Sequence, residues 1–444
     1  MTSEVVVMNR MGIALAADSV ATIYADGVQK KRHDSVAKLF MMSDRHPVGI
    51  MTYNDASLLG VPWETIIKLF RRQLGKSSFP TLGEYGQKLV EFLMQKQNFF
   101  PVDVERKYFE RQFETECYRI RNDAKLLYEF VPLSERMDVD SAAKKRSAVV
   151  AEVISERLAR WQNQDDAAGF TEKLAEDFLG SMSGDVSRII RKVLSKWFVD
   201  SSGVIQLNDI SRHLIFKRDL DMEVYTGLVI GGFGEQEHFP VVQHIFVYGV
   251  YGGILKYEQS QVQRISEEEP SYIESFAETE AVNDFLFGVS DKVLDEIDRA
   301  VEIVRTSPGE VLRQVTGMRK DKKAALIAET EIASEKSAKN IEDNIELLLS
   351  RRYGGILDVV EILPLKELAQ VASTFVRLSS FEKQLSLEAE TVGEPIDVAV
   401  ISKGDGFIWI NRKHYFQAGL NHRYFRDYPQ NEPPREEPDG KAEN

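Results

Sequence analysis

The chain has 444 residues, 43% hydrophobic and 28% charged, ordinary values for a globular protein of two or three domains with a large core. Its formal net charge of −14 disfavours a nucleic-acid partner by simple repulsion, and its single cysteine, Cys117, rules out an intramolecular disulfide. No apolar run reaches the about 20 residues needed to cross a bilayer, and no basic segment precedes an apolar one at the N-terminus, so a cytoplasmic protein without a membrane partner is expected.

In chain order, Glu4 to Met8 is a short Val-rich run that reads as a buried strand, Asn9 to Gly12 is turn chemistry, and Gly12 to Ala17 is a second strand. A hairpin this early holds the start of the chain, Thr2 included, inside the fold. Pro47 to Tyr53 reads as a third core strand ending at Asn54. Pro62 opens a helix marked by Trp63, Ile66, Ile67, Phe70 and Leu74 and stopped by Gly75, and Thr81, Tyr85, Leu89, Phe92 and Leu93 mark a second. Residues 99–221 are charged and helical in pattern, over Arg106–Tyr128, Ala142–Trp161 and Thr171–Trp197, with Asp200-Ser-Ser-Gly as a loop. The strand pattern returns at Tyr225 to Gly234, then at Val241–Gly249, Gly253–Tyr257 and, less regularly, Gln261–Ile265. Val293, Ile297, Val301 and Val304 begin a helix that passes into a Lys/Glu-rich helical stretch through Arg351. Pro364 opens another, marked by Leu365, Leu368, Ala372 and Phe375. Strands are expected in Thr391–Ile401 and Gly406–Arg412, and a disordered, proline-rich tail over 427–444.

The start of the chain invites one chemistry. An initiator methionine is generally trimmed before a residue as small as Thr2, and an N-terminal threonine carries nucleophile and general base on one residue. Its α-amine, with an ordinary pKa of roughly 7.7–8.0, already lies near working pH, and a nearby lysine cation would lower it further. Asp18 and Lys38 can supply such a cation held in an ion pair; the plain alternative is an ordinary hairpin with a surface Asp and Lys.

These residues, with the Ala16-Ala-Asp and Lys38-Leu-Phe motifs, resemble the proteasome β-subunit family of N-terminal-nucleophile (Ntn) hydrolases, as a divergent bacterial-type member with helical insertions. The resemblance implies an α+β fold, a four-layer αββα sandwich of two antiparallel sheets between helix layers. Residues 1–98, 222–305 and 360–426 would be core, and 99–221 and 306–359 helical insertions. It also implies a threonine-dependent peptidase working through an acyl-enzyme, with Thr2 as nucleophile, Lys38 tuning its amine and Asp18 orienting Lys38. Thr22 would bind substrate backbone. Asn54 would stand where the family has an oxyanion-hole glycine, since asparagine tolerates positive φ better than most residues. The family's later Asp and Ser find no clear match, the count back from Gly393 landing on Ala389 and Val392, with Glu388 and Thr391 one step away. A peptide or unfolded-protein substrate, a homo-oligomeric ring or stack, an ATP-dependent unfoldase and no cofactor follow from the same resemblance. A catalytically silent scaffold and an Ntn amidase acting on a small amide remain the alternatives.

Other constellations are weaker. Gly75-Lys-Ser follows a helix and has Phe70 where a phosphate loop needs glycine, and Gly231-Gly-Phe-Gly is a turn in a β region. The seven histidines form no metal-binding pair, and His238 and His244 read as structural.

Overall fold

The computed structural model describes residues 3–25, 28–33, 36–95, 99–130, 139–180, 182–218, 225–386, 393, 395–414, 416 and 420–421, with the backbone alone at 21–33 and 139. It is an α+β structure built on two antiparallel sheets. The first has the order β13–β1–β2–β14–β15, from strands Ser271–Ala277, Ser3–Asn9, Gly12–Ala17, Asp397–Ser402 and Gly406–Asn411. The second runs β11–β10–β9–β6–β5, from Ile254–Gln259, Val241–Tyr251, Thr226–Gly232, Val48–Asn54 and Leu39–Met41, with the short β12 (Gln263–Arg264) on β10. Two small hairpins, β3–β4 (Ala21–Ala25, Val28–His33) and β7–β8 (Ser57–Leu58, Val61–Pro62), stand outside these sheets.

The alternation of side chains along β1 explains the layering. Val6 and Met8 point with Ile13, Leu15, Ala399 and Ile401 into an apolar layer shared with Met51, Tyr53 and Val229 of the second sheet. Val5 and Val7 point the other way, with Ala14, Ala16, Val398 and Val400, against helices α8 (Glu280–Phe287), α10 (Lys320–Ile362) and α11 (Leu365–Leu385). Because both faces are covered, β1 and β2 are buried at every position, which is why they read as continuous apolar runs rather than alternating ones.

The outer face of the second sheet carries α1 (Trp63–Leu74) and α2 (Leu82–Gln95), whose apolar stripes were legible at helical spacing. Gly75 ends α1 at φ +56°, where a side chain would be strained. Between α2 and β9 lie α3 (Val102–Glu129), α4 (Val139–Gln162), α5 (Glu172–Leu179), α6 (Ser183–Leu194) and α7 (Ser201–Phe216). They share the core cluster that lines this face of the sheet. The Tyr108 hydroxyl donates to the Tyr248 carbonyl at 2.7 Å, and Lys256 Nζ donates to the Leu214 carbonyl at 2.9 Å, pinning α3 and α7 to β10 and β11. Within the group, the buried Glu116 carboxylate accepts from Arg157 Nε (2.7 Å), Arg157 Nη2 (2.9 Å) and Trp161 Nε1 (2.7 Å).

Two expectations need correction here. Asp200-Ser-Ser-Gly is a helix start rather than a loop: the Asp200 carboxylate accepts from the Gly203 amide at 2.7 Å and caps α7. The helical stretch expected over Thr171–Trp197 is divided at Gly180 into α5 and α6. Ser271–Ala277 is a further strand, and it pairs along the whole of β1. On the far side, α9 (Asp291–Gln314) and α10 form an antiparallel hairpin laced by Arg305–Glu335, Arg305–Glu342 and Arg313–Glu331. Among the described residues no helix is long and apolar enough to cross a membrane. The tail expected over 427–444 lies outside the described residues.

Candidate active site

The first described residue, Ser3, is fastened to the end of β2 in both directions. Its amide donates to Asp18 Oδ1 at 3.1 Å, and its carbonyl accepts from the Asp18 amide at 3.1 Å. Asp18 is fully buried, and Lys38, only 6% exposed, reaches it with Nζ 2.6 Å from Oδ1. The pair is therefore an interior one, unlike the surface Asp and Lys of the plain alternative. Lys38 Nζ also donates to the Val20 carbonyl at 2.5 Å, and the Val20 amide donates to Asp18 Oδ2 at 3.0 Å. Asp18 and Val20 thus cage the ammonium from either side of Ser19 in the chain, with the carboxylate satisfied on both oxygens. A buried charge is tolerable only with such pairing and hydrogen bonding.

The backbone brings Lys38 there. Residues 39–41 pair with β6, and the Thr52 amide donates to the Lys38 carbonyl at 2.9 Å, so Lys38 enters at the rim of the second sheet. Two residues after Thr52, β6 ends at Asn54, which is exposed and has φ +67°. The positive φ that asparagine was expected to tolerate is adopted. Preceding it, the Tyr53 ring lies against Gly227, where an added Cβ would come within 2.1 Å of the ring, so that glycine is what admits it. The Tyr53 hydroxyl meets His244 Nε2 at 2.5 Å in the layer between the sheets. Burial lowers the His244 pKa to about 4 and raises that of Tyr53 far above the usual phenol range.

Of the sequence-derived site residues, the structure brings Asp18 and Lys38 into contact and sets Asn54 at the end of a strand that also binds Lys38. Thr2 lies outside the described residues, as do Glu388, Ala389, Thr391 and Val392. Thr22 is on β3, paired with Arg32, and its side chain is likewise outside the description.

The sequence reading missed a second buried pair beside this one. Asp397 opens β14, directly across from Ala17 in the strand pairing. Its carboxylate accepts from the amide of Lys413 (2.8 Å) and from Lys413 Nζ (2.8 Å), and the same Nζ bonds the Ser19 hydroxyl. The Ser19 hydroxyl in turn donates to the Pro395 carbonyl. Burial lowers the Lys413 pKa, Asp397 opposes that effect, and the neighbouring Lys38 charge adds to it. A third pair, Glu278 with Lys383 of α11 at 3.1 Å, follows Ala277, the strand partner of Ser3. A charged residue opening the otherwise apolar run Ile396–Ile401 was the one available signal for Asp397; nothing local marked Lys413.

No family model matches the chain, and no curated protein does. Solved structures do. The chain is 10% identical to the Anbu complex from Pseudomonas aeruginosa, described as a helical assembly, over 99% of each chain at a TM-score of 0.29. It is 10% identical to an Anbu mutant from Hyphomicrobium sp. strain MC1, over 97% of this chain and 96% of that one at a TM-score of 0.28. A further Anbu structure from the same organism is 9% identical over 96% and 95% at a TM-score of 0.27. The sequence resemblance to proteasome β subunits is corrected accordingly: no model of that family matches, and these three solved structures are Anbu chains. The unfoldase partner implied by that resemblance loses its support with it.

Proposed function

We propose that this protein is an N-terminal threonine hydrolase that cleaves peptide or related amide bonds through an acyl-enzyme on Thr2. The observation that supports this most directly is the buried Lys38–Asp18 pair fastened to the backbone of Ser3, the residue next to Thr2. A lysine cation held there opposes protonation of the Thr2 α-amine, which leaves that amine able to act as general base. The amine takes the hydroxyl proton, the oxygen attacks the substrate carbonyl, and the proton passes to the leaving amine; water then hydrolyses the ester. Asp18 positions Lys38. Backbone N–H at Asn54, turned by its positive φ, stabilises the oxyanion, and Thr22 on β3 binds substrate backbone.

On this reading the two facing sheets and their helical covers make a four-layer αββα Ntn sandwich, with 99–221 and 306–359 as insertions in it. The α9–α10 hairpin exposes Ile303, Val311, Ile332 and Leu348, which supports self-association of the chain. The test is intact mass before and after a threonine-directed electrophile, on protein shown to begin at Thr2. One adduct per chain is expected, absent in Thr2→Ala, with part of the rate kept in Thr2→Ser, which retains both functional groups. An N-terminally extended protein should fold and be inactive. Full activity in protein shown by mass to retain Met1 would overturn the mechanism.

A further inference from the structure

The hydrolase reading uses Asp18 and Lys38, and leaves unexplained why a second ammonium is buried beside them. Lys413 arrives from the end of β15 and holds Asp397 with both its backbone amide and its Nζ. It also binds the Ser19 hydroxyl. Ser19 is the middle residue of the segment whose two neighbours cage Lys38: Asp18 through its carboxylate and Val20 through its carbonyl. The Ser19 hydroxyl is thus engaged twice, by Lys413 and by the Pro395 carbonyl, so the segment is fixed through Ser19 as well as through its bonds to Lys38.

We propose that Lys413 is a positioning residue and the second cation of this centre: through Ser19 it fixes the Asp18–Val20 cage around Lys38, and its charge joins that of Lys38 in keeping the Thr2 α-amine unprotonated. The inference rests on the hydrolase reading for the identity of the amine. The charged groups facing Lys413 are Asp397 on β14, Asp18 after β2 and Lys38 before β5, with Arg412 and His414 beside it in the chain. Around Ser3 the further charges are Glu4 on β1, Glu278 after β13 and Lys383 on α11. Loss of the Lys413 charge would leave Asp397 without its ammonium partner next to the cage, and an uncompensated carboxylate raises the pKa of a nearby amine.

The experiment reads the amine directly, in full-length protein shown by intact mass to begin at Thr2. Competitive labelling with light and heavy acetic anhydride across pH, quantified on the N-terminal peptide, gives its pKa. Lys413→Met should raise that pKa by roughly half a unit to one unit, and Lys413→Arg should restore the wild-type value. The acid limb of electrophile capture should move by the same amount in the same direction. If Lys413→Met does not fold, Lys413→Gln, which can still donate to Ser19, carries the same expectation. An unmoved pKa in the neutral variant, or equal shifts in the neutral and Arg variants, would overturn the inference, the second outcome marking a purely structural role. The hydrolase reading fails on a different result, hydrolysis that survives Thr2→Ala, whatever the amine's pKa.

Discussion

Removing Lys38 separates what the buried pair does for stability from what it does for chemistry. Lys38→Met would take the bonded ammonium from a fully buried Asp18 carboxylate while keeping two backbone donors to it, Ser3 at 3.1 Å and Val20 at 3.0 Å, with the Lys413 charge nearby. Breaking a buried pair in this way costs about 3–5 kcal/mol. The two remaining amide bonds put the expectation at the lower end, about 3 kcal/mol, including the Val20 carbonyl left without its donor. Asp18→Asn with Lys38→Met removes both charges while an amide oxygen can still accept from one of those backbone groups. That double variant should recover to within about 1 kcal/mol of wild type, because a buried pair replaced by neutral groups is often nearly neutral. The coupling measured in the cycle should then be about 2 kcal/mol or more. Urea unfolding of the four proteins gives these values, and intact mass after electrophile treatment gives the chemistry. The single Lys38 variant and the double variant should both fail to form the Thr2 adduct at a near-native rate. A double variant as unstable as Lys38→Met would refute the pairing argument, and near-native capture by folded Lys38→Met would refute the tuning role.

Two further predictions concern the walls of the site. His244 has its pKa lowered to about 4 by burial. Between pH 6.5 and 4 the unfolded chain therefore takes up a proton that the folded chain refuses, so stability present above pH 6.5 is lost as pH falls, by about 3 kcal/mol in full. His244→Gln should flatten this part of a urea-stability profile against pH, and an unchanged slope would count against the assignment. Asn54 at φ +67° should accept glycine with stability changed by only a few tenths of a kcal/mol and with capture retained. Asn54→Val should cost about 1–2 kcal/mol and slow capture; a valine variant indistinguishable from wild type would remove Asn54 from the oxyanion role.

The legible parts of this chain were those set by local periodicity. β1 and β2 announced themselves as Val/Ala runs around an Asn9–Gly12 turn, and α1, α2 and α11 as apolar stripes with Pro62 and Pro364 at their starts. β13 was not legible, because Ser271-Tyr-Ile-Glu-Ser-Phe-Ala mixes polar and apolar residues, and its partner β1 lies about 270 residues away. The cap at Asp200 failed for a related reason: Asp-Ser-Ser-Gly is turn chemistry and helix-start chemistry alike, and only the following apolar spacing decides between them. For the site, Asp18 and Lys38 were marked by the Ala16-Ala-Asp and Lys38-Leu-Phe motifs of the resemblance. Asp397 and Lys413 could not be paired in this way, since their meeting with Ser19 depends on β14 lying beside β2 in the sheet.

The three buried ion pairs near the start of β1 make one argument together. Lys38–Asp18, Lys413–Asp397 and Lys383–Glu278 join the ends of β2, β14 and β13 to the chain before β5, after β15 and on α11. Buried pairs contribute little net stability, since the desolvation of both ions offsets most of their attraction. Apolar residues at these positions would serve a sheet core at least as well, as they do farther along β1 at Val5 to Met8. What distinguishes the charged end is its place, at the residue that follows Thr2. On the proposed hydrolase reading, an ammonium at that end opposes protonation of the Thr2 α-amine, and its carboxylate partner holds it in position. The three pairs differ in reach: Lys38 bonds Asp18, which also holds the Ser3 amide, Lys413 reaches the same segment through Ser19, and Lys383 comes from the helical layer. Charge removed at Lys38 should therefore perturb the amine most, and the variants at Lys38 and Lys413 rank that order on one measured quantity.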